Sequence, residues 1–249
     1  MSTPDLTGVS TLLLDADGTL FPSEEPAYVA SAVVTQDFAR RFGLTGDFSP
    51  EHLRLTSTGK NFRTTAQDLA ARQGVRLDPA ELEAWVEREK REVTAYLGRV
   101  LTPRPDVVAA VTALGRRYRL AVVSSSALTR LAACFAASGL DGLLPAGSRF
   151  SAEDSLPVPT SKPDPAVYRH ALAELGVAPR EALAVEDSAT GAASAVAAGI
   201  ATAGLVQFVP EEERAERSAR LSGAGAAWVR SDWGRLAADL VGDTVRVAP

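Results

Sequence analysis

Thr11-Leu12-Leu13-Leu14-Asp15-Ala16-Asp17-Gly18-Thr19 carries the first decision about the fold. A short apolar run without alternation reads as a strand buried on both faces. The acids and glycine behind it read as the loop into which that strand runs. Downstream, from Pro103 and Pro105 onward, the chain alternates helix and strand. Helix 106–114 precedes strand 119–123, which ends in Ser124-Ser125-Ser126. Helix 127–138 follows, and then helix 165–175. Strand 182–185 ends in Glu186-Asp187. Helix 189–198, strand 200–206, helix 214–221, strand 226–229 and helix 233–241 complete the series. Strands alternating with helices imply crossover connections and a parallel sheet.

Between the first strand and the rest lies a block of different character. From Pro26 to Phe42 the apolar residues Val29, Val33, Val34, Phe38 and Phe42 recur at helical spacing, and Gly43 ends the run. Segments 61–73 and 79–97 read as two further helices, the second amphipathic through Leu82, Trp85, Val86, Val93 and Leu97. The fold class expected is therefore α/β: residues 1–20 and 100–249 form a parallel-sheet core, and 21–99 form an inserted all-helical domain.

Composition agrees with a globular chain of that size. The 249 residues are 46% hydrophobic and 23% charged, with a net charge of −5. A pI near 5.2 argues against a general nucleic-acid binder. No apolar run reaches the roughly 18 residues of a membrane span, and the N-terminus carries no signal-peptide pattern. With the single cysteine, Cys134, this favours a cytoplasmic setting. Cys134 falls in an apolar helical stretch and reads as core; His52 and His170 are isolated. Lys60, Lys90 and Lys162 are the only lysines and Asn61 the only asparagine, which draws attention to Lys162 and Lys60.

In parallel sheets ligands sit beyond the carboxyl ends of the strands. Asp15, Asp17, Glu186 and Asp187, the Ser124 hydroxyl and the Lys162 ammonium all gather at that edge. So many carboxylates stay ionised together only around a cation, and an all-oxygen donor set suits Mg²⁺. Magnesium shares its shell readily with phosphate, so a phosphorylated small molecule is the expected ligand. An aspartate is the nucleophile class present, and a second acid two residues on can move protons. Ser126 reads as the N-cap of the helix that follows it. Ser188 reads as the cap of the helix after Asp187. Thr58-Gly59-Lys60-Asn61 is not a phosphate-binding P-loop, since Arg54 stands where the first glycine is needed.

These residues resemble the motifs of the haloacid dehalogenase (HAD) superfamily. Asp15-Ala16-Asp17-Gly18-Thr19-Leu20 is similar to its first motif and the Ser124 strand end to its second. Lys162-Pro163-Asp164-Pro165 resembles the third, and Glu186-Asp187-Ser188 with Gly191 the fourth. The resemblance covers residues 11–206 and implies a Rossmann-like core with a subclass I helical cap. It implies Asp15 as nucleophile and metal ligand. Asp17 resembles the acid/base, with its main-chain carbonyl on the metal. Ser124 and Lys162 resemble the phosphate holders, Asp187 a metal ligand, and Glu186 a ligand or neighbouring acid. Ser125, Lys60, Asn61 and Arg63 are the candidate substrate contacts, the last three because a basic helix start suits an anionic or polyhydroxyl leaving group. The function expected is Mg²⁺-dependent phosphomonoester hydrolysis of a small metabolite through an aspartyl phosphate. The alternatives are a sugar-phosphate mutase and a non-catalytic phosphate-binding protein. Against the mutase, Phe21-Pro22-Ser23 and Ala27 lack the acid and histidine that such enzymes carry there.

Overall fold

The computed structural model describes residues 6–57 and 61–242. The chain divides into two compact units, one running up to Pro22 and resuming at Thr102, the other covering Ser23–Leu101.

The first unit is built on β1 (Thr11–Leu14), β2 (Arg119–Ser124), β3 (Arg149–Ser151), β4 (Ala182–Glu186), β5 (Ala201–Leu205) and β6 (Trp228–Arg230). Their order across the sheet is β3-β2-β1-β4-β5-β6, and every pairing is parallel. β1 is central, with Leu14 opposite Val122 on one side and Val185 on the other. A central parallel strand is covered above and below by helices, which is why all of Thr11–Leu14 is buried and apolar in the main. The helices are α5 (Pro105–Gly115), α6 (Leu128–Ser138), α7 (Ala166–Leu175), α8 (Ala189–Ala197), α9 (Arg214–Gly223) and α10 (Trp233–Val241), with the inserted unit's four helices numbered before them. Leu13, Val123, Tyr168, Ala171 and Ala184 lie in one core cluster of this unit. Cys134 is buried as expected, and burial, reinforced by the charge of Asp17, pushes its thiol up to about 12.

The second unit is helical: α1 (Glu24–Phe42), α2 (Pro50–Ser57), α3 (Phe62–Arg72) and α4 (Pro79–Val100). Its own core joins Val34, Phe38, Leu44, Phe62, Ala66, Leu82 and Val86. Phe38 meets Phe62 and Trp85 edge-on, the favourable aromatic geometry. Asp37 on α1 takes an ion pair from Arg88 on α4 at 2.5 Å, and Arg88 reaches Glu92 at 2.7 Å.

Two short elements are absent from the sequence reading, and one local reading, that of Ser126, is corrected. α2 is a helix although its eight residues are mostly polar, and β3 is a strand although Arg149-Phe150-Ser151 has no apolar run. Both elements are too short for periodicity to register. Ser126 does not cap α6: the N-cap position is Ala127, without a side-chain bond, and the Ser126 hydroxyl is used elsewhere. Ser188 caps α8 through the Gly191 N–H, as expected. Among the described residues no helix is long and apolar enough to cross a membrane.

Candidate active site

Strand order reverses at β1, with β2 on one side and β4 on the other, and ligand crevices form at such a switch point. Asp15 follows β1 directly, its N–H donating to Val185 O at 2.9 Å. The chain then turns tightly: Leu20 N–H donates to Ala16 O and Gly18 N–H to Phe21 O. Gly18 has φ +79°, and a β-carbon there would stand 2.3 Å from Asp187 Oδ2. Glycine is thus required twice, by the backbone and by the neighbouring carboxylate.

Lys162 is the hub. Its Nζ donates to Asp15 Oδ1 at 2.7 Å, Glu186 Oε1 at 2.6 Å and Val123 O at 2.7 Å, which uses all three ammonium protons. Burial alone would lower its pKa, but the two carboxylates reverse this and hold it above the ordinary lysine range. Burial raises the Asp15 carboxyl despite the opposing pull of Lys162, while Thr19 Oγ1 donates to Asp15 Oδ2 at 3.0 Å. Glu186 is wholly buried; burial pushes it up to about 7 against the pull of Lys162, with Asp15 adding to the rise. Tyr168 on α7 donates its hydroxyl to the same Oε1 at 2.5 Å.

The other expected residues are brought to this edge in different ways. Ser124 is buried at the end of β2, and its Oγ accepts from Ser126 N–H at 3.0 Å. Ser125 Oγ accepts from Lys162 N–H at 3.1 Å, so it fixes the lysine's backbone. The Asp17 carboxylate takes the Ser126 hydroxyl at 2.7 Å and Arg130 Nη2 at 3.6 Å. Arg217 on α9 donates to the Asp187 carbonyl at 3.3 Å and reaches Oδ2 at 3.5 Å. In the helical unit, Asn61 Oδ1 accepts from Thr64 N–H as the N-cap of α3, and Arg63 pairs with Glu83 at 2.5 Å. Both side chains have structural duties there. Lys60 lies outside the described residues.

Asp15, Glu186 and Asp187 each offer a carboxylate oxygen within 4.8 Å of the others, and all three residues are buried. Glu186 Oε2 is buried without a hydrogen-bond partner among the described residues. A buried acceptor left unpaired is costly, and a cluster of hard oxygen donors containing one fits a divalent cation. Thr19, Ser126, Arg130, Tyr168 and Arg217 were not singled out from the sequence as site residues. Thr19 stood inside the first quoted stretch, whereas arginines are too numerous in this chain for any one to stand out.

The profile of haloacid dehalogenase-like hydrolases matches residues 9–199. The chain belongs to that family. It is a hydrolase, the enzyme class expected from its motifs. Among curated proteins, this HAD-like hydrolase is 32% identical over 204 residues to protein CbbY of Cereibacter sphaeroides, covering 77% of this chain and 82% of the relative. A HAD family hydrolase from Deinococcus radiodurans, solved with bound phosphate and sodium, superposes with a TM-score of 0.66 at 27% identity, covering 94% of this chain and 95% of that one. CbbY from Rhodobacter sphaeroides, solved with xylulose 1,5-bisphosphate, shares the fold with a TM-score of 0.70 at 22% identity, covering 90% and 95%.

Proposed function

We propose that this HAD-like hydrolase is a Mg²⁺-dependent phosphomonoesterase acting on a small phosphorylated metabolite of the sugar-phosphate class. The observation that carries the reading is Asp15 itself. It is a buried carboxylate with Lys162 on one oxygen and Thr19 on the other, at the carboxyl end of the central strand. The relatives crystallised with phosphate and with a sugar bisphosphate support the substrate class.

Asp15 attacks phosphorus and the bond to the leaving oxygen breaks, giving an aspartyl phosphate. Asp17 gives its proton to the departing oxygen and then accepts one from the attacking water, so that phosphate leaves and both aspartates are restored. Lys162 neutralises charge on Asp15 and the phosphoryl oxygens, and Ser124 has a hydroxyl proton to donate to them. Asp15, Asp187 and the main-chain carbonyl of Asp17 would hold the cation, with Glu186 beside them. A bound Mg²⁺ supplies charge neutralisation on the transferring phosphoryl group.

Phosphate release from a panel of sugar phosphates tests this, comparing the native chain with Asp15→Asn. The expected result is Mg²⁺-dependent release by the native chain and none by the variant, which retains its fold. Normal turnover by Asp15→Asn would sink the assignment.

A further inference from the structure

The sequence gives Ser126 an ordinary task, capping α6, and in the structure it does something else. Its hydroxyl donates to Asp17 Oδ2 at 2.7 Å, while Arg130 Nη2 stands 3.6 Å from Asp17 Oδ1. Ser126 and Arg130 are four residues apart across the start of α6, so one helix end supplies both groups. Their own surroundings tie them down. Ser126 N–H donates to Ser124 Oγ, and the Ser126 carbonyl accepts from Ser151 Oγ at 2.9 Å. The backbone of Ser126 is therefore anchored to the ends of β2 and β3. Arg130 Nε is buried with no hydrogen-bond partner among the described residues. A guanidinium leaving a buried donor unpaired is held there by charge, and Asp17 is the carboxylate with which it pairs.

We infer that Ser126 and Arg130 are positioning residues that set the orientation of the Asp17 carboxylate, and thereby the transfer of its proton to the leaving group. The inference rests on the proposed role of Asp17. A carboxylate on a loop has two side-chain torsions to distribute, and the Ser126 hydrogen bond to Oδ2 together with the Arg130 charge 3.6 Å from Oδ1 selects one arrangement. Proton transfer in the transition state tolerates little displacement of the donor, so a loosened Asp17 loses rate even though its chemistry is unchanged.

Leaving-group dependence reads this directly. An alkyl phosphate has a poor leaving group that needs the proton. p-Nitrophenyl phosphate has a good one that needs it little. The parameter kcat/KM reports the steps through phosphoryl transfer. Ser126→Ala and Arg130→Gln should each lower kcat/KM for an alkyl phosphate about tenfold while changing that for p-nitrophenyl phosphate less than twofold. Ser126→Thr, which keeps the hydroxyl, should restore most of the loss. Equal losses on both substrates, or none on either, would overturn the inference. If Arg130→Gln fails to fold, the Ser126 pair decides alone. Asp17→Asn separates the two levels. If it hydrolyses alkyl phosphates normally, the proposed role of Asp17 fails; if it is inactive while Ser126→Ala matches the native chain on both substrates, only the positioning inference fails.

Discussion

A β-carbon at Gly191 would stand 1.8 Å from Oε2 of Glu186, so the missing side chain on α8 makes the room that the buried carboxylate occupies. Glu186 in turn shares its Oε1 between Lys162 and Tyr168, and Lys162 bridges to Asp15. The bare position on a helix thus reaches the proposed nucleophile through two side chains.

Gly191→Ala separates helix propensity from packing. In an exposed helix the change would stabilise by up to about 1 kcal/mol. Here the clash forces Glu186 or α8 to move, and the expected outcome is a loss of about 1–3 kcal/mol, the cost of overpacking a dense site. Turnover should fall as well, because Lys162 moves with Glu186. Denaturant unfolding with parallel kinetics measures both, and a stabilised, fully active variant would contradict the packing account.

Three buried carboxylates gathered within 4.8 Å repel one another, so a divalent cation should stabilise the fold as well as support turnover. Chelator should stop hydrolysis and lower the melting temperature, and added Mg²⁺ should restore both. Asp187→Asn should fold yet lose most of the Mg²⁺-induced rise. A melting temperature indifferent to Mg²⁺ in the native chain would remove the cation from this cluster.

The helical unit should be acid-sensitive through Asp37. Hydrogen bonds from Arg88 and then from Arg40 hold this carboxyl below its usual range. A lowered folded-state pKa means that the unfolded chain takes up the proton more readily. The contribution is therefore complete above the ordinary aspartate value of about 4 and is lost as pH falls through the lower folded value. Asp37→Asn should cost about 1 kcal/mol at neutral pH, since the ion pair is partly shielded, and the difference from the native chain should shrink in acid. Denaturant midpoints at neutral and acid pH check it. A pH-independent difference would assign the loss to packing instead.

Much of the site was legible because its residues sit at strand ends, and strand ends are marked locally. Thr11–Leu14 followed by Asp15 and Asp17 announces a buried strand meeting a ligand edge. Ala182–Val185 followed by Glu186-Asp187 announces a second, and the alternation of helices and strands makes the sheet parallel. These signals need only the pattern of apolar residues and the chemistry of the next few positions. What the tertiary structure alone decided is which polar groups share atoms. That Lys162 bridges Asp15 and Glu186, that Tyr168 completes the Glu186 site, and that Ser126 turns from the helix to Asp17 depend on contacts between residues 18 to 147 positions apart or on a choice between equivalent local partners. Asn61 and Arg63 show the same limit from the other side. Their types suit a ligand, and only the folded helices show that Asn61 Oδ1 accepts from Thr64 N–H and that Arg63 Nη2 pairs with Glu83. Hydrophobic periodicity is a property of neighbours along the chain and survives in sequence. Hydrogen-bond partnership is a property of neighbours in space, and only packing selects it.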